Sequence, residues 1–272
     1  MRALSIQYRV RSIAAALLLP LAAAHAQIAV SCAVSPEVAA QYEPVRAVVL
    51  LVNNTGTDLA LFGEDANCGL AFRITDERDQ PAPSRDNAPG HEPVYIQPGD
   101  AAVVTNELTT RYDMRRTGSY AIEARAVWNG KAYTTERKRY LDVVPGIEIE
   151  KTSVAVGAGS AMRAYSLRTV SRSRMEHLLL RIEDEASGIC YGVYDLGSFV
   201  RRREPAMQVD AAGNVHILYQ DAPTHFVHRI FAPDGTAAEP MSYADESGRV
   251  HMEIDAGGGV GIVGAEPEEF EE

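Results

Sequence analysis

The sequence predicts an all-β protein, and three observations carry that prediction. Short runs rich in Val, Ile, Leu, Tyr and Phe recur along most of the chain. They are punctuated by turn residues such as Pro98-Gly99, Asn129-Gly130 and Pro233-Asp234-Gly235, whose backbone preferences reverse the chain between strands. No segment repeats apolar residues at the 3.6-residue period of an amphipathic helix.

The first 26 residues read as a cleavable signal peptide. A basic segment carrying Arg2, Arg9 and Arg11 precedes the apolar run from Ile13 to Ala24, and Ala24-His25-Ala26 offers the small-x-small site, so the mature chain is expected to begin at Gln27. The run is too short for a membrane anchor, and no other apolar stretch approaches 18 residues. The expectation is an exported protein, periplasmic or extracellular, without a membrane span. Lipoprotein processing at Cys32 is disfavoured, because Ala29-Val30-Ser31 lacks the usual Leu. The whole chain carries a net charge of −11; without its leader, 23 basic residues face 37 acidic ones, or −14. Such a chain is repelled by nucleic acid and by anionic lipid. The segment 266–272 (EPEEFEE) reads as a solvated acidic tail.

Strand signals follow in order through 27–146. Val45 to Val52 is closed by Asn53-Asn54-Thr55-Gly56, and Leu59 to Phe62 and Leu70 to Ile74 come next. Ala101 to Thr105 follows the Pro98-Gly99 turn, and Tyr120 to Trp128 is joined to Lys131 to Val144 through Asn129-Gly130, a hairpin signature. Ile122, Ala124, Ala126 and Trp128 share one strand face and Glu123 and Arg125 the other, so Trp128 is expected in the core of an immunoglobulin-like β-sandwich. Val143-Val144-Pro145-Gly146 then ends one strand in a turn before Ile147 starts another, which places a domain boundary at 146.

The series Asn53-Asn54-Thr55-Gly56, Gln97-Pro98-Gly99-Asp100, Leu108 to Asp113 and Thr117-Gly118-Ser119-Tyr120 resembles the immunoglobulin-like domain that precedes the catalytic domain of deuterolysin-type metallopeptidases. It is similar, more loosely, to macroglobulin and bacterial proteinase-inhibitor sandwiches. The resemblance implies a sandwich over 27–146 with Tyr120 at a corner. It does not bring the peptidase chemistry with it, since the zinc helix of those enzymes needs His-Glu-x-x-His, and here His91-Glu92 runs into Pro93.

Residues 147–265 form a second β-rich domain with a weak internal repeat. Glu176 to Leu180 aligns with Val215 to Tyr219, and more faintly with Val260 to Gly264, at offsets of 39 and 45. The middle copy, Pro205 to Gln220, resembles the strand-turn-strand unit of β-propeller blades, but so few copies cannot close a propeller.

Candidate sites are sparse. Five of seven histidines, His177, His216, His225, His228 and His251, lie in the second domain; the repeat accounts for His177 and His216, and His225 and His228 point to opposite faces of a strand. No metal, cofactor or catalytic residue is expected: there is no nucleophile elbow around Gly159-Ser160 or Gly197-Ser198, and Gly257 to Gly261 lacks the Lys-Ser/Thr of a phosphate loop. Of the three cysteines, Cys32 and Cys68 are the favoured disulfide and Cys190 an inert strand residue. Between Arg163 and Arg203 stand eight Arg and no Lys, ending in Arg201-Arg202-Arg203, a possible binding face for an acidic partner. The function expected is non-enzymatic: protein-protein or envelope-surface interaction with a protein partner the sequence does not name. The alternatives are a proteinase inhibitor or peptidase-associated prodomain relative, with Gln80 to Pro98 as its loop, and a hydrolase with a site in the second domain.

Overall fold

The structure, a computed structural model, describes residues 27–85, 90–155 and 162–268. The leader, Gly159-Ser160 and the last four residues of the acidic tail lie outside the described residues. What is described is nearly all β.

The first half contains β1 (Ile28–Ser35), β2 (Val38–Ala40), β3 (Arg46–Asn53), β4 (Leu59–Leu61), β5 (Cys68–Thr75), β6 (Val94–Ile96), β7 (Ala101–Glu107), the one-turn helix α1 (Leu108–Arg111), β8 (Gly118–Trp128), β9 (Lys131–Thr134) and β10 (Arg139–Val144). Strands β1-β3-β7 make a three-stranded sheet, and β2-β10-β8-β5-β4-β6, with β9 also on β8, a seven-stranded one. Period-2 alternation decides which side of each strand faces inward. Val30, Cys32, Ala47, Val49 and Leu51 from the small sheet meet Ile74, Tyr120, Ile122, Ala124, Ala126 and Leu141 from the large one in a single core.

Asn129 and Gly130 both adopt positive φ, 49° and 73°, and Trp128 pairs with Lys131, the type I′ hairpin that Asn-Gly favours. The run from Lys131 to Val144 is two strands, because the exposed charged residues Glu136, Arg137 and Lys138 interrupt it. Asn53 is fully buried and organises the turn after β3: its amide donates to Ile96 O (2.8 Å) and Thr57 O (2.9 Å), while its side-chain oxygen accepts from the Thr55 amide and hydroxyl. The buried Tyr120 hydroxyl donates to Arg116 O at 2.9 Å, a corner of the kind immunoglobulin-type sandwiches use. Trp128 is only half-buried against the core, not inside it; it is the last residue of its strand, beside the Asn129-Gly130 turn.

The second half is a series of antiparallel meanders. Strands β11 (Ile147–Ala155), β12 (Met162–Arg172), β13 (Met175–Asp184) and β14 (Cys190–Ser198) form one four-stranded sheet; β15 (Ala206–Val209), β16 (Val215–Ala222), β17 (His225–Phe231) and β18 (Met241–Ala244) form a second; β19 (His251–Ile254) and β20 (Val260–Val263) form a hairpin. These lie one upon the next. Tyr165, Leu167, Leu178, Leu180 and Leu196 of the first sheet pack on Met207, Val215, Ile217, Tyr219 and Phe231 of the second. The opposite face of the second, through Leu218, Phe226 and Tyr243, packs on Val250 and Met252, with Val260 and Ile262 against them. The other face of the first sheet meets the sandwich, Val170, Leu179 and Val193 joining Ala40 with Val38, Tyr42 and Val144. Strands covered on both faces lose alternation, which is why residues 164–167 and 215–220 are buried without a break.

The repeat is real at one offset and not at the other. Glu176 to Leu180 falls on the third strand of its sheet and Val215 to Tyr219 on the second of its own, so His177 and His216 are not equivalent. The offset of 45 holds. Met207-Gln208-Val209-Asp210-Ala211-Ala212-Gly213-Asn214-Val215 and Met252-Glu253-Ile254-Asp255-Ala256-Gly257-Gly258-Gly259-Val260 are each strand, turn, strand. In both, the Asp carboxylate accepts the amides two and four residues on (Ala212 and Asn214; Gly257 and Gly259) at 2.7–2.9 Å. Each turn is closed by matching backbone bonds, Asp210 N to Asn214 O and Asp255 N to Gly259 O.

Candidate interaction surface

The second half holds its chemistry-bearing side chains in internal hydrogen bonds. At the junction of the halves Arg172, 8% exposed at the end of β12, donates through Nε to Val38 O (2.7 Å) and through Nη1 to Asp195 (2.7 Å), and pairs with Glu43. Glu43 is itself 4% exposed and accepts the Ala40 amide at 2.8 Å. Burial pushes the Glu43 carboxyl above its ordinary range despite the Arg172 charge beside it. His177 completes the row, its Nδ1 lying 3.2 Å from Asp195.

Between the second sheet and the terminal hairpin lies a chain of three groups. Asp210 Oδ2 stands 3.3 Å from His216 Nε2, and His216 Nδ1 stands 3.1 Å from His228 Nε2, the two rings stacked with centroids 5.2 Å apart. With Asp210 accepting from Nε2–H, the His216 Nδ1 lone pair receives the Nε2–H of His228. The buried Nδ1 of His228 is left without a partner. Burial, reinforced by the His216 ring, pushes His228 down to about 4. The other two histidines are tied nearer the surface. His225 sits between Asp221 and Glu268, whose carboxylates raise its pKa against the opposing effect of burial, and His251 sits between Arg249 O (2.7 Å) and Glu253 (2.9 Å). Among the described residues no three His, Cys, Asp or Glu side chains converge to hold a metal ion.

The arginine run does not form one free basic face. Arg201, Arg202 and Arg203 are all exposed, but Arg201 pairs with Glu176 at 2.5 Å and Arg203 donates to Gly248 O and Val250 O. Earlier members are taken up by Glu148 (Arg168), by Glu183 (Arg181) and by the Tyr191 ring, 3.7 Å below Arg163. The described part of the acidic tail goes elsewhere: Pro267 bridges to Tyr243 and Glu268 N donates to Ser242 O, extending the second sheet beside β18.

The expected Cys32–Cys68 bridge is not formed. The two thiols are free and buried, on β1 and β5 of opposite sheets among apolar neighbours, and burial pushes Cys32 up to about 11. Cys190 is also a free thiol, half-buried between the exposed Ile189 and Tyr191. His91 is packed on the Phe62 ring (centroids 4.3 Å apart), and the segment expected to act as an inhibitor loop is pinned at its start by the bridges Thr75–Pro81 and Ser84–Tyr112.

One surface is left over, and the sequence reading missed it. The outer face of β1-β3-β7 presents three cross-strand rows without a charge: Ala29, Val52 and Ala101; Ser31, Leu50 and Val103; Ala33, Val48 and Thr105. Val103 is 63% exposed and Val48 40%. A fourth row, Ser35, Arg46 and Glu107, carries the only charges on the face. The outer face of the large sheet is ordinary by contrast, with Arg73 across from Glu123 and Arg125 across from Ala71. The signal was in the sequence: Arg46 apart, Val45 to Val52 is apolar at both parities, as strands covered on both faces are, yet among the described residues only one side of β3 is covered.

No family model matches the chain, and no curated protein matches it. Among solved structures, the sporulation control protein Spo0M from Bacillus subtilis is similar over 65% of this chain and 91% of its own, with 10% identity and a TM-score of 0.27. A likeness so slight carries no argument about fold or function.

Proposed function

We propose that the chain is an exported, non-enzymatic two-domain β protein that works by protein-protein contact at the envelope or outside the cell. The observation that supports this reading is the uncharged outer face of β1-β3-β7 on a chain of net charge −11. The largest contiguous apolar patch on a domain surface is often a functional one. The leader-like first 26 residues support the location.

Chemical cross-linking of the native envelope fraction tests it. The wild-type chain is expected to yield an adduct with a protein, of its own kind or another, that Val103→Lys does not yield. An identical adduct pattern from both chains refutes the assignment of this face.

A further inference from the structure

We infer that the protein bound at the uncharged face of β1-β3-β7 is a second copy of this chain, stacked sheet on sheet about a two-fold axis parallel to the strands. This rests on the reading above and names the partner of that same site.

The argument is one of charge and register. The face carries two charges, Arg46 on β3 and Glu107 on β7, directly across from one another. Arg46 has no ion pair of its own within 4 Å among the described residues. An axis lying in the interface between β3 and β7 sets β3 of one copy over β7 of the other at the same height. Arg46 then lies over Glu107 of the other copy, and Glu107 over its Arg46, so the two ion pairs arise reciprocally, as an isologous contact requires. In the remaining rows Leu50 covers Val103, Val48 covers Thr105, and Val52 covers Ala101. No carboxylate of this acidic chain is desolvated without a partner, and like charge is not brought together. A partner recruited by opposite charge would need a charged face, which this is not.

Size sets the strength. With the axis between β3 and β7, only these two strands overlap the other copy, and two strands about 4.8 Å apart and seven residues long at about 3.4 Å each give a plane of about 230 Å², well short of the roughly 800 Å² per partner of a stable complex. The dimer is therefore weak and concentration-dependent, forming at roughly 0.1–1 mM or wherever the chain is locally concentrated.

Sedimentation equilibrium of the full chain across that range is the test. The wild-type weight-average mass should rise toward twice the monomer, while Val103→Lys stays monomeric. Arg46→Glu should also stay monomeric, because it faces Glu107 of the other copy, and the exchanged pair R46E/E107R should restore association to within a few-fold of wild type. A wild-type chain that is monomeric throughout, a V103K chain that associates equally, or an exchange that restores nothing each overturns the two-fold stack. These substitutions sit on the outer face, so an unchanged melting curve confirms that folding is intact; should V103K fold poorly, the charge exchange decides alone. A monomeric wild type that still loses a heterologous cross-linked adduct on V103K sinks self-association and leaves the binding reading standing, whereas no adduct and no dimer sinks both.

Discussion

The two halves bury different things. The polar side chains that the sandwich buries are neutral, Asn53, Thr55, Thr75, Asn106 and Thr135, apart from Glu43 at the junction, while the stacked half buries the titratable or charged Arg172, His216, His228 and Asp245 beside Ser166, Thr169 and Gln220. A sandwich has one interior and two solvated faces, so polar residues have somewhere to go. In a stack, every sheet but the last is covered on both sides, and its polar side chains must find partners inside. The sandwich therefore depends on packing and neutral hydrogen bonds, and the stack also on buried groups whose charge varies with pH.

The sharpest way to break this contrast is Arg172→Ala. It removes the partner of a buried carboxylate and two further hydrogen bonds, and should destabilise the chain by about 3–5 kcal/mol, as read from urea unfolding. A loss under about 1 kcal/mol would mean that Glu43 reaches water and that the junction is not buried in solution. Second is acid. His228 sits near pKa 4 when folded against about 6.5 when unfolded. Between those values the unfolded chain binds a proton that the folded chain refuses, so stability is complete above about pH 6.5 and falls by about 3 kcal/mol on the way to pH 4. Glu43 has the opposite sign: its raised folded pKa means its contribution is present at low pH and is lost as pH rises. His228→Leu should flatten the acid limb, and an unaltered pH profile would contradict the buried pair. The smallest effect is expected in the sandwich, where half-buried Trp128→Ala should cost about 2 kcal/mol, less than the 3–5 of a fully buried aromatic, with wild-type fluorescence between that of buried and exposed indole.

How much of this was legible beforehand differs between the halves for the same reason. The sandwich strands alternate, and Tyr120 to Trp128, Ala101 to Thr105 and the Asn129-Gly130 hairpin were readable from period and turn chemistry alone. The short strands β2 and β6 were not, since three residues hold no period. In the stack the all-β nature was clear, but the repeat was aligned on its apolar strand, Leu178 to Leu180 against Ile217 to Tyr219, when the discriminating feature is the turn Asp-Ala-x-Gly-x. Apolar runs resemble one another at many offsets; a carboxylate that must cap two specific amides does so at one. The Arg172 cluster was illegible, because Glu43 and Arg172 are brought together only by the docking of two units far apart in sequence. The pairing of Cys32 with Cys68 rests on both lying in the first domain, and spacing in sequence does not fix the Cα separation that a disulfide needs.

The matching turns at Asp210 and Asp255 have a consequence for how this molecule can change in length. Residues 206–250 amount to one sheet plus its connection, and the hairpin that follows begins the same unit again and stops halfway, its outward side carrying His251 and Glu253. A lid of that kind can sit on any copy of the sheet beneath it. Duplicating 206–250 in tandem would thus insert a further layer between the present second sheet and its lid, adding about 10 Å to the stack while leaving the sandwich and both ends of the chain as they are: a protein whose reach is set by the number of copies of one 45-residue word.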